Sequence, residues 1–168
     1  MKSILVLFAS FAVLAVGGCK PKAADISPLH RKQAASLVSE AQFAMTMRDH
    51  ARAEPLFAEA AKLCPDDGGY WLGLGVTRRR LGNLSGAKNA YEKARSAYGD
   101  AYALDPNQTD ALLQEMYVLA LLGRPDDATK RLEKAQKKDP TNARLRMLAE
   151  EKQIEKLLVE PTFKEIAL

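Results

Sequence analysis

Apolar residues recur at three- and four-residue intervals through the middle of the chain. One run begins at Trp71 and ends at Gly82, and the next consists of small and aromatic residues: Ala87, Ala90, Tyr91, Ala94, Tyr98 and Ala101. This spacing is that of amphipathic α-helices. A glycine directly after the last helical turn is a common helix stop. The stretch therefore predicts two helices joined by a tight turn.

Small residues stand where these two helices would come closest. Gly75 in the first helix and Ala87 and Ala94 in the second leave room for close approach, while Trp71 and Tyr91 fill the layer between the helices. One such pair cannot bury its apolar face alone, so similar pairs are expected on both sides.

Prolines and turn residues mark those neighbouring pairs. Pro140 follows Pro106 by 34 residues, with Gly123 at the turn between two further apolar runs. On the other side, Pro65 ends a unit whose turn lies at 48–50. Its second helix is marked by three residues at helical spacing: Ala53, Phe57 and Ala60. The chain therefore contains three units.

The middle unit is longer than the others. Pro106 follows Pro65 by 41 residues, seven more than the other interval. Seven residues add about two helical turns and shift an apolar stripe by only about 20°. We therefore predict one lengthened second helix. A helix break at Gly99-Asp100 is the alternative, because glycine inside a helix costs about 1 kcal/mol relative to alanine.

The order of a large residue, Leu-Gly, a glycine turn and then small and aromatic residues resembles the tetratricopeptide repeat. The resemblance implies an all-α fold, a short solenoid of three antiparallel helix pairs plus a C-terminal capping helix. The implied domain covers 28–159, with units at about 34–67, 68–108 and 109–142 and the capping helix at 142–159. Composition agrees, since 47% hydrophobic and 27% charged residues argue against disorder, and many Ala with few Val and Ile argue against a sheet.

The last nine residues, 160–168, form the segment that we call the tail. Phe163, Ile166 and Leu168 keep amphipathic spacing there. Docking of the tail onto the domain or onto a partner and a frayed terminus are both open alternatives.

The beginning of the chain has the features of a targeting segment. Lys2 precedes a run of 13 residues, 4–16, in which only Ser10 is polar. Such a run is too short for an ordinary bilayer span of about 20 residues and fits a signal-peptide core. A cleaved signal peptide without lipid and an uncleaved anchor are the alternatives to a lipoprotein signal.

Val16-Gly17-Gly18-Cys19 resembles the lipobox of bacterial lipoproteins. The resemblance implies a signal peptide at 1–18, a lipidated Cys19 and a tether at 19–27. Lys20 in place of aspartate implies attachment to the outer membrane, facing the periplasm, in a Gram-negative source. Two or three acyl chains would make this anchor effectively permanent.

In tetratricopeptide proteins the first helix of each pair lines a concave groove that binds peptides. Carried onto matching positions, the resemblance implies a groove formed by Val38, Gln42, Met45, Leu72, Val76, Arg79, Arg80, Leu113, Tyr117 and Leu121. Such a surface suits an extended or helical protein segment with an acidic group. The carboxylate clamp of chaperone-tail receptors is absent, because Val38, Gln42, Gly73 and Asp110 replace its Lys and Asn residues.

No residue pattern indicates catalysis or a cofactor. His30 and His50 stand without companions at metal-ligand spacing, and Cys64 is best read as a buried filler. Removal of the predicted signal peptide takes away Lys2 and leaves a net charge of +3. The chain has no basic patch with interleaved aromatic residues that would predict nucleic-acid binding. We expect no enzyme, no metal site and no cofactor.

Together the two resemblances are to small tetratricopeptide lipoproteins that help to assemble envelope machines, such as pilotins of type IV pilus secretins and Flp pilus assembly proteins. They imply a membrane-anchored scaffold or adaptor that binds a protein or peptide partner. Two alternatives stay open: a structural envelope lipoprotein that self-associates into a homo-oligomer, and an accessory subunit of a cell-wall enzyme.

Overall fold

The computed structural model describes residues 25–168. The signal peptide predicted at 1–18 and the lipidation predicted at Cys19 lie outside these residues. No helix within 25–168 is both long enough and apolar enough to span a membrane.

Nine helices and no strand make up this part of the chain, which confirms the all-α prediction. They are α1 Pro28–Thr46, α2 His50–Leu63, α3 Gly68–Arg80, α4 Leu84–Leu104, α5 Thr109–Leu121, α6 Pro125–Lys138, α7 Ala143–Glu150, α8 Gln153–Val159 and α9 Pro161–Ile166. Helices α1 to α6 pack as three sequential pairs, with α2 on α3 and α4 on α5 joining one pair to the next. This is the predicted solenoid of three helix pairs.

The three turns within the pairs have the same geometry. A residue with positive φ follows each first helix: Arg48 at 59°, Gly82 at 79° and Gly123 at 72°. In each turn the next backbone N–H donates to a carbonyl five residues earlier, from Asp49 to Ala44 at 2.9 Å in the first unit. This hydrogen bond closes a Schellman motif, which supports the division into three units.

Arg48 is the non-glycine member of this set, and Arg48→Gly is expected to stabilise the protein. A left-handed backbone costs an L-residue about 1–2 kcal/mol, and part of that gain is offset by the entropy of glycine. We expect a gain of about 0.5–1 kcal/mol in the free energy of unfolding, measured by urea denaturation. Lys88→Gly, at an exposed helical position of α4, should instead cost about 1 kcal/mol. A comparable loss in Arg48→Gly would contradict this account of the turn.

Helix α4 runs unbroken from Leu84 to Leu104, as the lengthened-helix prediction requires. Gly99 lies opposite the carboxyl group of Glu115 on α5, and a Cβ added at Gly99 would lie 3.2 Å from Oε1 of Glu115. Glycine therefore allows the carboxylate to approach the helix and does not break it.

The C-terminal part differs from the single capping helix predicted at 142–159. The structure has two helices, α7 and α8, separated at Glu151 and Lys152, where the φ angle of Lys152 is 48°. The break redirects the chain so that α8 packs against α5 and α6, with Ile154 in the same core cluster as Leu145 and Leu148 of α7. Burial of these apolar side chains offsets the cost of the left-handed lysine.

The tail docks onto the domain. Residues Pro161–Ile166 of the tail form α9, and Phe163 and Ile166 are 4% and 9% exposed. The amphipathic spacing of these two residues therefore serves an intramolecular contact.

Candidate protein-binding groove

The central part of the predicted groove is brought together by α3 and α5. Leu72, Val76, Tyr117 and Leu121 belong to one apolar cluster. We call the surface formed by these four residues the α3–α5 groove. Leu121 is fully buried and the other three are half-buried. The structure therefore places these four predicted residues on one continuous surface.

Residues predicted from the first unit lie apart from this cluster. Val38 and Met45 are half-buried against the core formed by α1, α2 and α3, and Gln42 is exposed. The sulfur of Met45 lies 3.3 Å from the Thr77 hydroxyl oxygen, and that hydroxyl donates to the Gly73 carbonyl at 2.8 Å. Val38 and Met45 thus take part in packing between the first two units.

The α3–α5 groove is occupied by the chain's own α9. The side chains of Phe163 and Ile166 pack into the cluster. The rings of Phe163 and Tyr117 meet edge to face, with centroids 5.9 Å apart and planes at 71°. This geometry is the favourable one for two aromatic rings.

Three hydrogen bonds connect the backbone of the tail to the groove. The Tyr91 hydroxyl donates to the carbonyl of Ile166 at 2.7 Å, and Nε of Arg79 donates to the carbonyl of Ala167 at 2.8 Å. The N–H of Leu168 donates to the carbonyl of Leu121 at 2.9 Å.

These hydrogen bonds satisfy backbone groups that helix ends leave open. The last carbonyls of a helix lack intrahelical partners, and they carry partial negative charge that a cation such as Arg79 stabilises. Leu121 is the last residue of α5, and its carbonyl is one such group. The groove is therefore built to receive the C-terminal end of a short helix.

Tyr91 reaches the tail because Gly75 has no side chain. Tyr91 belongs to α4 and is fully buried, and a Cβ added at Gly75 would lie 2.4 Å from its ring. The ring passes over α3 at this glycine, so that the hydroxyl can contact Ile166. Burial raises the pKa of Tyr91 well above its ordinary value, which keeps the hydroxyl protonated as a donor.

Tyr117 is also held in its neutral form. Burial raises the pKa of its hydroxyl, and the nearby carboxylate of Glu160 raises it further. Arg79, in contrast, carries a formal positive charge, and its Nε donates to a backbone carbonyl of the tail.

The free energy gained when α9 docks is similar in size to the conformational entropy that its ordering costs. Burying Phe163 and Ile166 contributes about 1.5–3 kcal/mol for each side chain, and the three hydrogen bonds contribute about 1 kcal/mol each. Ordering α9 and the two residues after it, whose backbone groups make two of these hydrogen bonds, costs about 1–2 kcal/mol per residue. The gains and the cost are of similar size, as expected of a locally stable terminal element.

The groove continues past the tail into an open cavity of about 390 Å³ between α5 and α8. Its lining includes the predicted residues Leu113 and Tyr117, together with Ile154 and Leu157. Arg80, the remaining predicted residue, is exposed at the end of α3. Leu113 and Arg80 are thus accessible next to the occupied part of the groove.

A second cleft follows from the extra length of α4. It has a volume of about 560 Å³ and lies between the end of α4, Arg31 and the turn at Pro65 and Asp66. Nζ of Lys93 lies 4.3 Å from the centroid of the Trp71 ring, a cation–π contact on the wall of this cleft.

Cys64 and the histidines do not form a reactive centre in the described residues. Cys64 is buried, and burial raises the pKa of its thiol, which disfavours the reactive thiolate. Within 25–168, no group of three or more His, Cys, Asp or Glu side chains is arranged to hold a metal ion.

The sequence alone does not identify Tyr91, Phe163 and Ile166 as residues of this site. The spacing of Tyr91 predicts packing between helices, and a tyrosine hydroxyl gives no sequence signal of where it points. The three-residue spacing of Phe163 and Ile166 was a usable signal, but it could not distinguish docking from a frayed end.

Comparison with known proteins agrees with this architecture. A family model described as the tetratricopeptide repeat matches residues 87–151, which run from α4 to the end of α7. No curated protein matches the chain. The match supports a tetratricopeptide-repeat protein, a kind of protein that generally binds other proteins.

Proposed function

We propose that this chain is a membrane-anchored adaptor of the bacterial envelope that binds a protein partner in the α3–α5 groove and its open continuation. The observation that carries the proposal is the docked α9, because a surface that holds one short amphipathic helix has the shape and polarity to bind another. Repeats of this family commonly serve as protein-interaction modules.

The anchoring part of the proposal rests on the sequence. The lipobox-like Val16-Gly17-Gly18-Cys19 and the following Lys20 favour lipidation of Cys19 and attachment to the outer membrane on its periplasmic side. An adaptor held there would assist the assembly or localisation of a pilus, a secretion complex or another envelope complex.

One observation favours self-association as a second candidate function. Leu29 and Phe43 on α1 and Met47 directly after it are 71%, 60% and 67% exposed, at the end of the stack where no helix pair precedes α1 in the described residues. Exposed apolar side chains of this kind are typical of protein interfaces. A homo-oligomer would bury them between two copies.

Site-specific photo-crosslinking in intact envelopes tests the proposed function. A benzophenone amino acid at Leu113, in the open cavity, should capture one protein other than the chain itself. The same probe at Lys134, an exposed position on α6, should not capture it. Cys19→Ser should release the chain from the membrane fraction and reduce capture.

Three outcomes would contradict the proposal. Equal capture from both positions would place binding outside the groove. Recovery of adducts of the chain with itself, and of no other protein, would favour self-association. Cys19→Ser protein that stays in the membrane fraction would exclude the lipid anchor at Cys19.

A further inference from the structure

We propose that the tail is an exchangeable occupant of the α3–α5 groove, which a partner displaces with the end of an amphipathic helix carrying an aromatic residue and, three positions later, an aliphatic one. This inference rests on the proposed function and names the chemistry of the partner segment.

The first argument concerns what the groove recognises in the tail. Tyr91 and Arg79 donate to backbone carbonyls of the tail, and the Leu121 carbonyl accepts from a backbone N–H of the tail; any helix end can present such groups. Sequence enters through the two buried side chains, Phe163 and Ile166. A foreign helix end with the same two side chains meets the same contacts.

The second argument concerns what the groove ignores. Lys164 and Glu165 are exposed, as are Pro161 and Thr162 at the start of α9. Because these side chains are exposed, a partner helix can carry other residues at the corresponding positions. Selectivity comes from an aromatic–x–x–aliphatic pair, with half-buried Ala167 packed beside it.

The third argument concerns how the tail can leave. Glu160 connects α8 directly to α9 in an extended conformation, with φ −67° and ψ 129°. No side-chain hydrogen bond caps the start of α9. Rotation at this residue can free α9 while α8 stays packed on α5 and α6. The open cavity beside Tyr117 gives a partner a first contact before the tail departs.

A fluorescent peptide with the sequence of residues 160–168 is the probe, and binding is read by anisotropy with the full chain in detergent. Phe163→Asp should eject the tail and strengthen peptide binding at least about fivefold over the native chain. In the native chain only the molecules whose groove is empty can bind the peptide, so the apparent affinity is reduced by that fraction. Lys164→Asp, at the exposed neighbouring position, should bind as the native chain does. A Phe163→Asp chain with native helix content and no tighter binding would overturn the proposal.

A measurement on the native chain covers the case in which Phe163→Asp unfolds. Excess unlabelled peptide should accelerate hydrogen exchange of the Leu168 amide, which donates to Leu121. Unchanged exchange at the highest peptide concentration would show that the tail is not exchangeable.

Peptide variants test the partner chemistry. A peptide with alanine in place of Phe163 should bind at least about fivefold more weakly, as loss of a buried aromatic predicts, and one with alanine in place of Lys164 should bind normally. Equal affinities would overturn the aromatic–x–x–aliphatic assignment. If exchange fails while the probe at Leu113 still captures a partner, this inference falls and the proposed function stands. If exchange succeeds and Leu113 captures nothing, the tail is exchangeable, but the proposed function falls and the displacing partner falls with it.

Discussion

Gly75→Val is expected to destabilise the fold by about 3 kcal/mol, at the upper end of the usual cost of overpacking a core. The Cβ alone would lie 2.4 Å from Cδ1 and Cε1 of Tyr91, and this ring is fully buried. Displacing the ring also moves the hydroxyl away from Ile166. The variant should therefore show both a lower urea midpoint and faster hydrogen exchange in the tail.

Gly69→Val in the first turn of α3 is the matched control. Its added Cβ would meet Oδ1 of Asp67 at 3.1 Å and the hydroxyl of Tyr98 at 3.6 Å, so that a small shift of the Asp67 side chain, which caps α3 through the N–H of Gly69, relieves the closest contact. We expect a loss below about 1 kcal/mol. Similar losses in the two variants would show that β-branching in α3, and not contact with Tyr91, determines the effect.

Arg131→Met is expected to cost about 3 kcal/mol at pH 7, because it leaves the carboxylate of Glu115 buried without its partner. Glu115 is 5% exposed, and one of its oxygens lies 2.9 Å from Nε of Arg131. The Arg131 guanidinium also lies over the Tyr102 ring, 5.1 Å from its centroid. Urea denaturation measures the loss, and Lys134→Met on the exposed part of α6 is the control, with an expected effect near zero.

The loss in Arg131→Met should shrink as the pH is lowered. Burial raises the pKa of Glu115 above its ordinary value, and Arg131 counteracts this rise, so the substitution raises the pKa further. A carboxyl group with a raised folded-state pKa stabilises the fold at low pH, and this contribution is lost as the pH rises through that pKa. The difference between variant and native protein should therefore be small at about pH 4 and large at neutral pH. A loss that is independent of pH would point to packing of the Arg131 side chain instead of charge.

The repeat architecture could be predicted because its signals are local. Gly82 and Gly123 mark turns that need positive φ, and small residues such as Gly75 and Ala94 mark close helix contacts. The continuity of α4 through Gly99 followed from the unbroken apolar spacing.

The C-terminal region could not be predicted to the same degree because its structure depends on distant contacts. Lys152 adopts a left-handed conformation that its residue type does not signal, and the break there is determined by burial of Ile154 against α5 and α6. The docking of Phe163 likewise depends on Tyr117, which lies 46 residues earlier in the chain. Periodicity identifies an apolar face but not the surface that covers it.

Nuclear Overhauser spectroscopy shows whether the chain's own C-terminal helix occupies the α3–α5 groove. With ring centroids 5.9 Å apart, the aromatic protons of Phe163 and Tyr117 should give cross-peaks in the free full chain. These cross-peaks should disappear in Tyr117→Leu, and the Phe163 signals should shift. If the native chain gives no cross-peaks and the Phe163 signals are the same in Tyr117→Leu, the helix is not in the groove and the account is wrong.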